Sequence, residues 1–265
     1  MYDSFNRRIN YLRLSVTDLC NLRCTYCMPA EGVKLLPHDS ILSFEEIHAL
    51  TRRAVELGIN KVRLTGGEPL VRHGIVDLVS MLATIEGIDD FAMTTNGALL
   101  PQFAHDLRRA GLHRVNISLD TMDPDHFKQL TRIGELSQVL EGIDAAVDAG
   151  FSEIKLNCVV TETATEPHAE SVAAYGKKHG LQVRFIQQMD TEAGTFGRVI
   201  GGDGGHCTSC NRLRVTSDGR IYPCLFCNQS FSIHELGIDK AIESALKSKP
   251  ESGHKSKNAF YRLGG

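Results

Sequence analysis

The sequence predicts an α/β protein built around a six-stranded partial (βα)6 barrel of the TIM-like type, followed by a small C-terminal cysteine-rich domain. The 265-residue chain alternates short apolar runs with amphipathic stretches six times, as parallel strands joined by helices do. Nearly every apolar run ends in a polar cluster. A barrel gathers functional residues at the carboxyl ends of many strands in this way, whereas a doubly wound sheet uses one crevice.

The six predicted strands are runs rich in β-branched and aliphatic residues. Polar side chains follow at their carboxyl ends, for example at 65–69 and at 94–97. Because all strands of a parallel barrel end on the same side, these polar groups are expected to meet there. The predicted strands cover residues 11–17, 61–65, 91–95, 114–119, 153–160 and 182–189.

The predicted helices lie between these strands, and the first has clear start and stop signals. Ser43 and Glu46 have the spacing of a capping box, apolar residues then recur at helical intervals, and Gly58 ends the pattern. The later helices are predicted at about 73–86, 101–110, 123–130, 136–149 and 168–179.

The periodic pattern stops after Asp190, and this divides the chain into three parts. Residues 1–190 are predicted to form the barrel. Residues 191–206 are rich in glycine and are predicted to be a linker. Residues 207–265 are predicted to be the C-terminal domain, with a last helix at 236–247.

The composition excludes several classes of function. A formal net charge of −3 gives no global basic field, which argues against nucleic acid as a partner. No stretch approaches the roughly 20 apolar residues that a membrane span requires, and the first residues lack the apolar core of a signal peptide. We therefore expect a cytoplasmic protein with no membrane partner.

Seven of the eight cysteines fall in two groups, which favours metal or redox chemistry over disulfides. The first group is Cys20, Cys24 and Cys27, with the spacing CxxxCxxC. Three thiolates on one loop suit a [4Fe-4S] cluster that keeps one iron without a protein ligand. A structural zinc site normally recruits four ligands. The first group is therefore predicted to hold an iron-sulfur cluster.

The first group resembles the signature of the radical S-adenosylmethionine (SAM) enzymes. The run Gly66-Gly67-Glu68-Pro69 at the second strand end strengthens this resemblance. The resemblance implies that the open iron binds SAM and that an electron from the cluster cleaves SAM to a 5'-deoxyadenosyl radical. The residues implied to contact SAM are Tyr26, Gly67, Ser118 and Met189.

The second group consists of two CxxC pairs, which on spacing alone is typical of a zinc ribbon. The residues between the pairs, at 211–214 and 223–226, are similar to the C-terminal motif of the MoaA-type GTP 3',8-cyclases of molybdenum cofactor biosynthesis. This resemblance implies a second [4Fe-4S] cluster held by Cys207, Cys210 and Cys224, whose free iron meets the guanine of GTP.

The resemblance to the cyclases covers nearly the whole chain and implies a GTP site. Guanidinium and ammonium groups are the expected partners of a triphosphate, because they donate charge-assisted hydrogen bonds to its oxygens. The terminal Gly264-Gly265 also matches the family, whose double-glycine tail reaches the active site. The residues implied to contact GTP are Arg13, Arg63, Thr94, Lys155, Arg212 and Arg214.

The family also implies partners besides GTP. The reaction needs a low-potential electron donor such as flavodoxin or ferredoxin, and a downstream cyclic pyranopterin monophosphate synthase takes the product. A homodimer is compatible with the resemblance. The implied reaction is the cyclisation of GTP to (8S)-3',8-cyclo-7,8-dihydroguanosine 5'-triphosphate.

Two features depart from the family and leave alternatives open. The segment between Asp190 and Cys207 is shorter than in the cyclases, and Cys227 is an additional thiol. Cys227 is either a spare thiol or a fourth ligand that closes the second cluster. In the latter case the protein is a MoaA-like radical SAM enzyme that acts on a peptide or another metabolite. A non-enzymatic zinc-ribbon module is the third hypothesis.

Overall fold

Six parallel strands that follow one another in chain order form the centre of the structure. It is a computed structural model that describes residues 1–190, 194, 197–202, 204–258 and 260–263, with the side chain of Phe260 left out. Each strand pairs in parallel with the next one along the chain. This arrangement confirms the predicted α/β partial-barrel fold. The strands are β1 (Tyr11–Ser15), β2 (Lys61–Thr65), β3 (Asp90–Thr95), β4 (Arg114–Ser118), β5 (Ile154–Val160) and β6 (Gln182–Gln187).

Four short strands from the last third of the chain extend the same sheet at both edges. β7 (Val199–Ile200) pairs antiparallel with β6, while β8 (Arg212–Val215) lies parallel to β1. β9 (Arg220–Tyr222) and β10 (Phe231–Ser232) complete the order β10-β9-β8-β1-β2-β3-β4-β5-β6-β7. The part of the chain with the second cysteine group is thus joined to the barrel through β1, which the sequence pattern did not predict.

The helices between the strands lie close to their predicted positions. Ser43 and Glu46 form the predicted capping box at the start of the first helix, with hydrogen bonds of 3.2 and 2.7 Å. No helix in the described part of the chain is both long and apolar enough to cross a bilayer. The helices are α1 (Phe44–Glu56), α2 (Ile75–Ala83), α3 (Leu100–Arg109), α4 (Pro124–Thr131), α5 (Leu136–Asp148), α6 (Pro167–His179), α7 (Ile233–Leu236), α8 (Ile238–Lys247) and α9 (Phe260–Leu263).

The alternation of side chains along the strands separates an apolar layer from a polar barrel interior. Leu12 and Leu14 of β1 belong to the large apolar core, together with Ile47 and Leu50 of α1. The intervening side chain, Arg13, points to the other face of the sheet. The interior of the barrel is therefore lined by polar and charged residues and is suited to a polar ligand.

Candidate active site

The three cysteines of the first group lie on the loop after β1 and line one cavity of about 200 Å³. Their side chains are half-buried. Burial, followed by the charge of Asp120, raises the pKa of Cys24 to about 12, and burial raises that of Cys27 to about 12. Because metal ligation requires thiolates, these residues need a nearby positive group to ionise. The fit rests on the donor set instead: three thiols on one loop around one cavity are the ligands that an iron-sulfur cluster takes.

The glycine pair after β2 lets this loop approach the end of the strand. The amide of Gly67 donates to the carbonyl of Thr17 at 2.8 Å, and the amide of Glu68 donates to that of Leu19 at 2.8 Å. A Cβ on Gly67 would lie 2.2 Å from the Leu19 carbonyl oxygen, which no side chain permits. The glycine is required here by a close backbone contact.

Glu68 joins the ends of β2 and β3. Its side chain is 1% exposed, and its carboxylate accepts hydrogen bonds from the Thr95 hydroxyl at 2.7 Å and from the Asn96 amide at 2.7 Å. Burial outweighs these hydrogen bonds and raises the pKa of Glu68 to about 7. Through these hydrogen bonds, the Glu68 side chain fixes the ends of β2 and β3 relative to each other at the cavity.

The residues predicted to contact SAM are all brought to the first cavity. Tyr26, Gly67, Ser118 and Met189 line it together with the three cysteines. The Tyr26 hydroxyl donates to the buried carboxylate of Asp120 at 2.6 Å, which ties the cysteine loop to the segment after β4. The structure thus places seven predicted residues around a single space.

Tyr261 of α9 also lines this cavity, although the sequence analysis did not single it out. Just after it, the Leu263 carbonyl accepts a hydrogen bond of 3.1 Å from Arg214. The segment that precedes the C-terminal glycines therefore reaches the barrel. Gly264 and Gly265 themselves lie outside the described residues.

Three cysteines of the second group line another cavity, of about 250 Å³. Cys207, Cys210 and Cys224 share it with Arg212 and Arg214. Cys227 is not among the described residues that line it. The backbone carbonyl of Cys227 accepts a hydrogen bond of 2.8 Å from Asn258.

Lys249 is a buried cation in the second cavity that the sequence analysis missed. It is 3% exposed, and its ammonium donates to the carbonyls of Arg212 at 2.8 Å and Pro223 at 2.6 Å. Burial by itself raises the pKa of Cys210. The charge of Lys249, together with Arg212, outweighs burial, so the pKa of Cys210 is lowered overall. A thiolate at Cys210 is thereby favoured, as metal ligation requires.

Three arginines lie side by side on the interior of the barrel. Arg13 of β1 is in register with Arg63 of β2 on one side and with Arg214 of β8 on the other. Burial and the charge of Arg214 lower the pKa of Arg13 to about 9, and burial lowers that of Arg63 to about 9. Burial likewise lowers the pKa of Arg214 to about 10. All three guanidiniums stay protonated at neutral pH, but the lowered pKa values mean that positive charge is unfavourable here. A polyanion would relieve this.

Tyr11 lies between two of the cations of this region. Its ring is 5.3 Å from the Arg63 guanidinium and 5.6 Å from that of Arg212. The Nε atoms of both arginines and the hydroxyl of Thr94 are buried without a hydrogen-bond partner in the described part of the chain. Buried polar atoms nearly always find partners, so these three donors point to a ligand.

Lys155, like Arg13 and Arg63, is not among the described residues that line the two cavities. Its ammonium pairs with Glu153 at 2.9 Å, and it borders a surface depression rather than either of the two cavities. Arg184 of β6 was not predicted from the sequence as a residue near the site. It is in register with Asn157 of β5, which lines the first cavity. Its alternation with Ile186, which lines the first cavity, was a usable signal.

Comparison with known proteins gives two family matches. Residues 14–175 match the radical SAM superfamily, and residues 158–262 match the family described as Molybdenum Cofactor Synthesis C. The chain is 42% identical over 299 aligned positions to the GTP 3',8-cyclase of Alkaliphilus oremlandii, covering 95% of this chain and 93% of that protein. It is 43% identical over 303 positions to the GTP 3',8-cyclase of Geobacter sulfurreducens, with the same coverage.

The alignment with the GTP 3',8-cyclase of Desulforamulus reducens shows that this chain is shorter. The alignment covers both proteins completely at 36% identity. It spans 325 positions, which is 60 more than the 265 residues of this chain. The placement of the shortening between Asp190 and Cys207 stays a prediction.

Solved structures with the same fold have low sequence identity. Native anSMEcpe with bound AdoMet superposes with a TM-score of 0.64 at 18% identity, covering 91% of this chain and 81% of that chain. Streptococcus suis SuiB bound to S-adenosylmethionine gives a TM-score of 0.62 at 14% identity, with 93% and 66% covered. These likenesses concern the fold alone.

Proposed function

Because this chain belongs to the GTP 3',8-cyclases of the radical SAM superfamily, we propose that its two cavities share one reaction, the first holding SAM and the second the base of GTP. The enzyme cyclises GTP in molybdenum cofactor biosynthesis, with SAM and two [4Fe-4S] clusters as cofactors. The observation that carries this assignment of sites is the convergence of seven predicted residues on the first cavity.

In the first cavity, the protein holds and shields the reactive group. Cys20, Cys24 and Cys27 would bind three irons of a cluster, which with SAM supplies the radical that starts the reaction. Tyr26, Gly67, Ser118 and Met189 would orient SAM. Apolar side chains in the lining would keep bulk solvent away from the cluster and SAM; they are Leu22, Val159 and Ile186.

In the barrel interior, Arg13, Arg63 and Arg214 would bind the triphosphate. Each guanidinium can donate two parallel hydrogen bonds to phosphate oxygens. The bound negative charge would also remove the repulsion among neighbouring cations. The Thr94 hydroxyl and the Arg212 guanidinium would contact the same substrate through their unpartnered donors.

In the second cavity, Cys207, Cys210 and Cys224 would hold the other cluster. Because Cys227 is not among the described residues lining this cavity, the proposal leaves one iron open to a nitrogen of the guanine. The alternative of a closed cluster that serves a peptide or another metabolite is not favoured, since the relatives that match nearly the whole chain are GTP 3',8-cyclases.

The proposed reaction also needs an electron donor and an enzyme that takes its product. A flavodoxin or ferredoxin would supply the electron, a cyclic pyranopterin monophosphate synthase would consume the product, and the protein would work in the cytoplasm as a homodimer. Cysteines grouped as metal ligands, outside disulfides, are typical of a reducing compartment.

The GTP site makes a quantitative prediction. We expect Arg63→Ala and Arg212→Ala each to weaken GTP binding by about 1.5 to 3 kcal/mol, the value of a lost hydrogen bond to a charged group, or about 10- to 150-fold in Kd. We expect a smaller loss, under about tenfold, for Lys155→Ala, because its ammonium already pairs with Glu153. Anaerobic titration calorimetry of the reconstituted protein measures these changes.

Arg53 provides the matched control. It is a half-exposed arginine that pairs with Asp239 and Glu56 on the surface, so Arg53→Ala should leave GTP affinity unchanged. A wild-type protein that does not bind GTP, or that binds it equally well without Arg63 and Arg212, would contradict the proposed substrate site.

A further inference from the structure

The loop that carries the first cysteine group rests on the carboxyl end of α4. The amide of Arg23 donates to the carbonyl of Thr131 at 3.1 Å, and the amide of Thr25 donates to that of Leu130 at 2.9 Å. The last carbonyls of a helix have no partner within it. The loop therefore satisfies the end of α4, and the end of α4 fixes one side of the loop.

Arg132, the residue after α4, has an unfavourable backbone conformation. Its φ of 65° and ψ of −41° place a residue with a Cβ in a region that favours glycine. Among the described residues, Asn6 is the only other non-glycine residue with a positive φ. The Arg132 amide still donates to the carbonyl of Lys128 at 2.8 Å, so the turn belongs to the helix end.

This turn directs the Arg132 side chain back to the cysteine loop. One nitrogen, Nη1, donates to the carbonyl of Arg23 at 2.6 Å and to the carbonyl of Met28 at 2.9 Å. These two carbonyls flank the stretch that contains Cys24 and Cys27. Hydrogen bonds from a charged donor are the strong ones, so the two bonds tie the ends of this stretch together.

The guanidinium of Arg23 holds the remaining cysteine in a similar way. It donates to the carbonyl of Cys20 at 2.7 Å and to that of Leu22 at 2.9 Å. All three cysteines thus lie on backbone that is fixed by arginine side chains. Arg132 differs from Arg23 because it reaches the loop from a separate element, at the cost of a strained backbone.

We propose that Arg132 is a positioning residue for the first cluster: its guanidinium clamps the loop segment between Arg23 and Met28 and so presets Cys24 and Cys27 for ligation. The inference rests on the proposed function, since it takes these cysteines to be the cluster ligands. It goes beyond that proposal because Arg132 is not among the described residues that line either cavity, and its guanidinium reaches the backbone of the loop.

Three variants separate the clamp from a general effect on stability. Arg132→Ala and Arg132→Gly both remove the two hydrogen bonds, but only glycine also relieves the positive φ. We expect the cluster-free Arg132→Gly protein to unfold about 2–4 °C above the Arg132→Ala protein. Arg132→Lys keeps the charge, and a single ammonium can replace the two bonds that leave Nη1.

The rate of cluster loss in the presence of an iron chelator, followed anaerobically by absorbance and iron analysis, is the main readout. We expect about tenfold faster loss of the first cluster from both Arg132→Ala and Arg132→Gly, and a rate near that of wild type for Arg132→Lys. The change in the electron paramagnetic resonance spectrum on adding SAM identifies the first cluster. The second cluster is the internal reference.

The outcomes distinguish the inference from the proposal on which it rests. Wild-type loss rates in both truncated variants, or loss rates that follow unfolding temperature so that Arg132→Gly resembles wild type, would overturn the role of Arg132. A wild-type protein with no SAM-responsive cluster would instead overturn the assignment of Cys20, Cys24 and Cys27.

Discussion

Replacing Cys24 by alanine is expected to abolish the reductive cleavage of SAM, so that 5'-deoxyadenosine falls below detection. Cys24 lies in the first cavity with Cys20 and Cys27, and each thiolate is needed to hold its iron. Without it, the cluster is lost or can no longer present its open iron to SAM. The measurement is 5'-deoxyadenosine formed by reconstituted protein with SAM and a strong reductant.

Cys158 offers a matched control within the same chain. It is fully buried in the apolar core, where its thiol lies 3.6 Å from the Asp120 carbonyl oxygen, and burial raises its pKa above the usual range for a thiol. We expect Cys158→Ala to keep SAM cleavage. Undiminished cleavage in the Cys24→Ala protein would refute the ligand role of Cys24.

The second large effect separates Cys224 from Cys227. Cys224 lines the second cavity, so Cys224→Ser should remove the second cluster and GTP cyclisation together. Cys227→Ser should preserve both, because Cys227 is not among the described lining residues. Two [4Fe-4S] clusters hold about eight irons, so we expect about four irons in Cys224→Ser and about eight in Cys227→Ser.

The iron content also tests the nature of the second site. A Cys227→Ser protein that loses half of its iron would show that four thiolates close the cluster, which leaves no iron for a guanine nitrogen. Stoichiometric zinc at the second group, in protein produced with ample iron, would contradict the two-cluster assignment.

The six barrel strands and their helices could be predicted because their signals are local. The capping box of Ser43 and Glu46 and the alternation of Leu12, Arg13 and Leu14 are visible in a few consecutive residues. The pairing of β8 with β1 could not be predicted, because it joins Tyr11 to Arg212 across most of the chain. Local patterns do not identify a distant partner strand.

In the candidate site, too, the residues that could be predicted are those with local sequence signals. The first cysteine group and the glycines beside it form a contiguous signal, and the structure places them around one cavity. Lys249 and Tyr261 carry no such signal in the sequence. Tertiary packing alone buries the Lys249 ammonium beside Cys210 and places the Tyr261 side chain at the wall of the first cavity. The ion pair of Lys155 was foreseeable, because Glu153 lies two residues earlier, on the same face of the strand predicted at 153–160.

The proposed cyclisation is tested by a reaction with GTP that carries deuterium at the ribose 3' position. Reconstituted protein is mixed anaerobically with this GTP, SAM and a reductant, and the products are analysed by mass spectrometry. We expect deuterium-labelled 5'-deoxyadenosine and 3',8-cyclised GTP to form in equal amounts. Unlabelled 5'-deoxyadenosine with GTP recovered unchanged would contradict the proposed cyclisation.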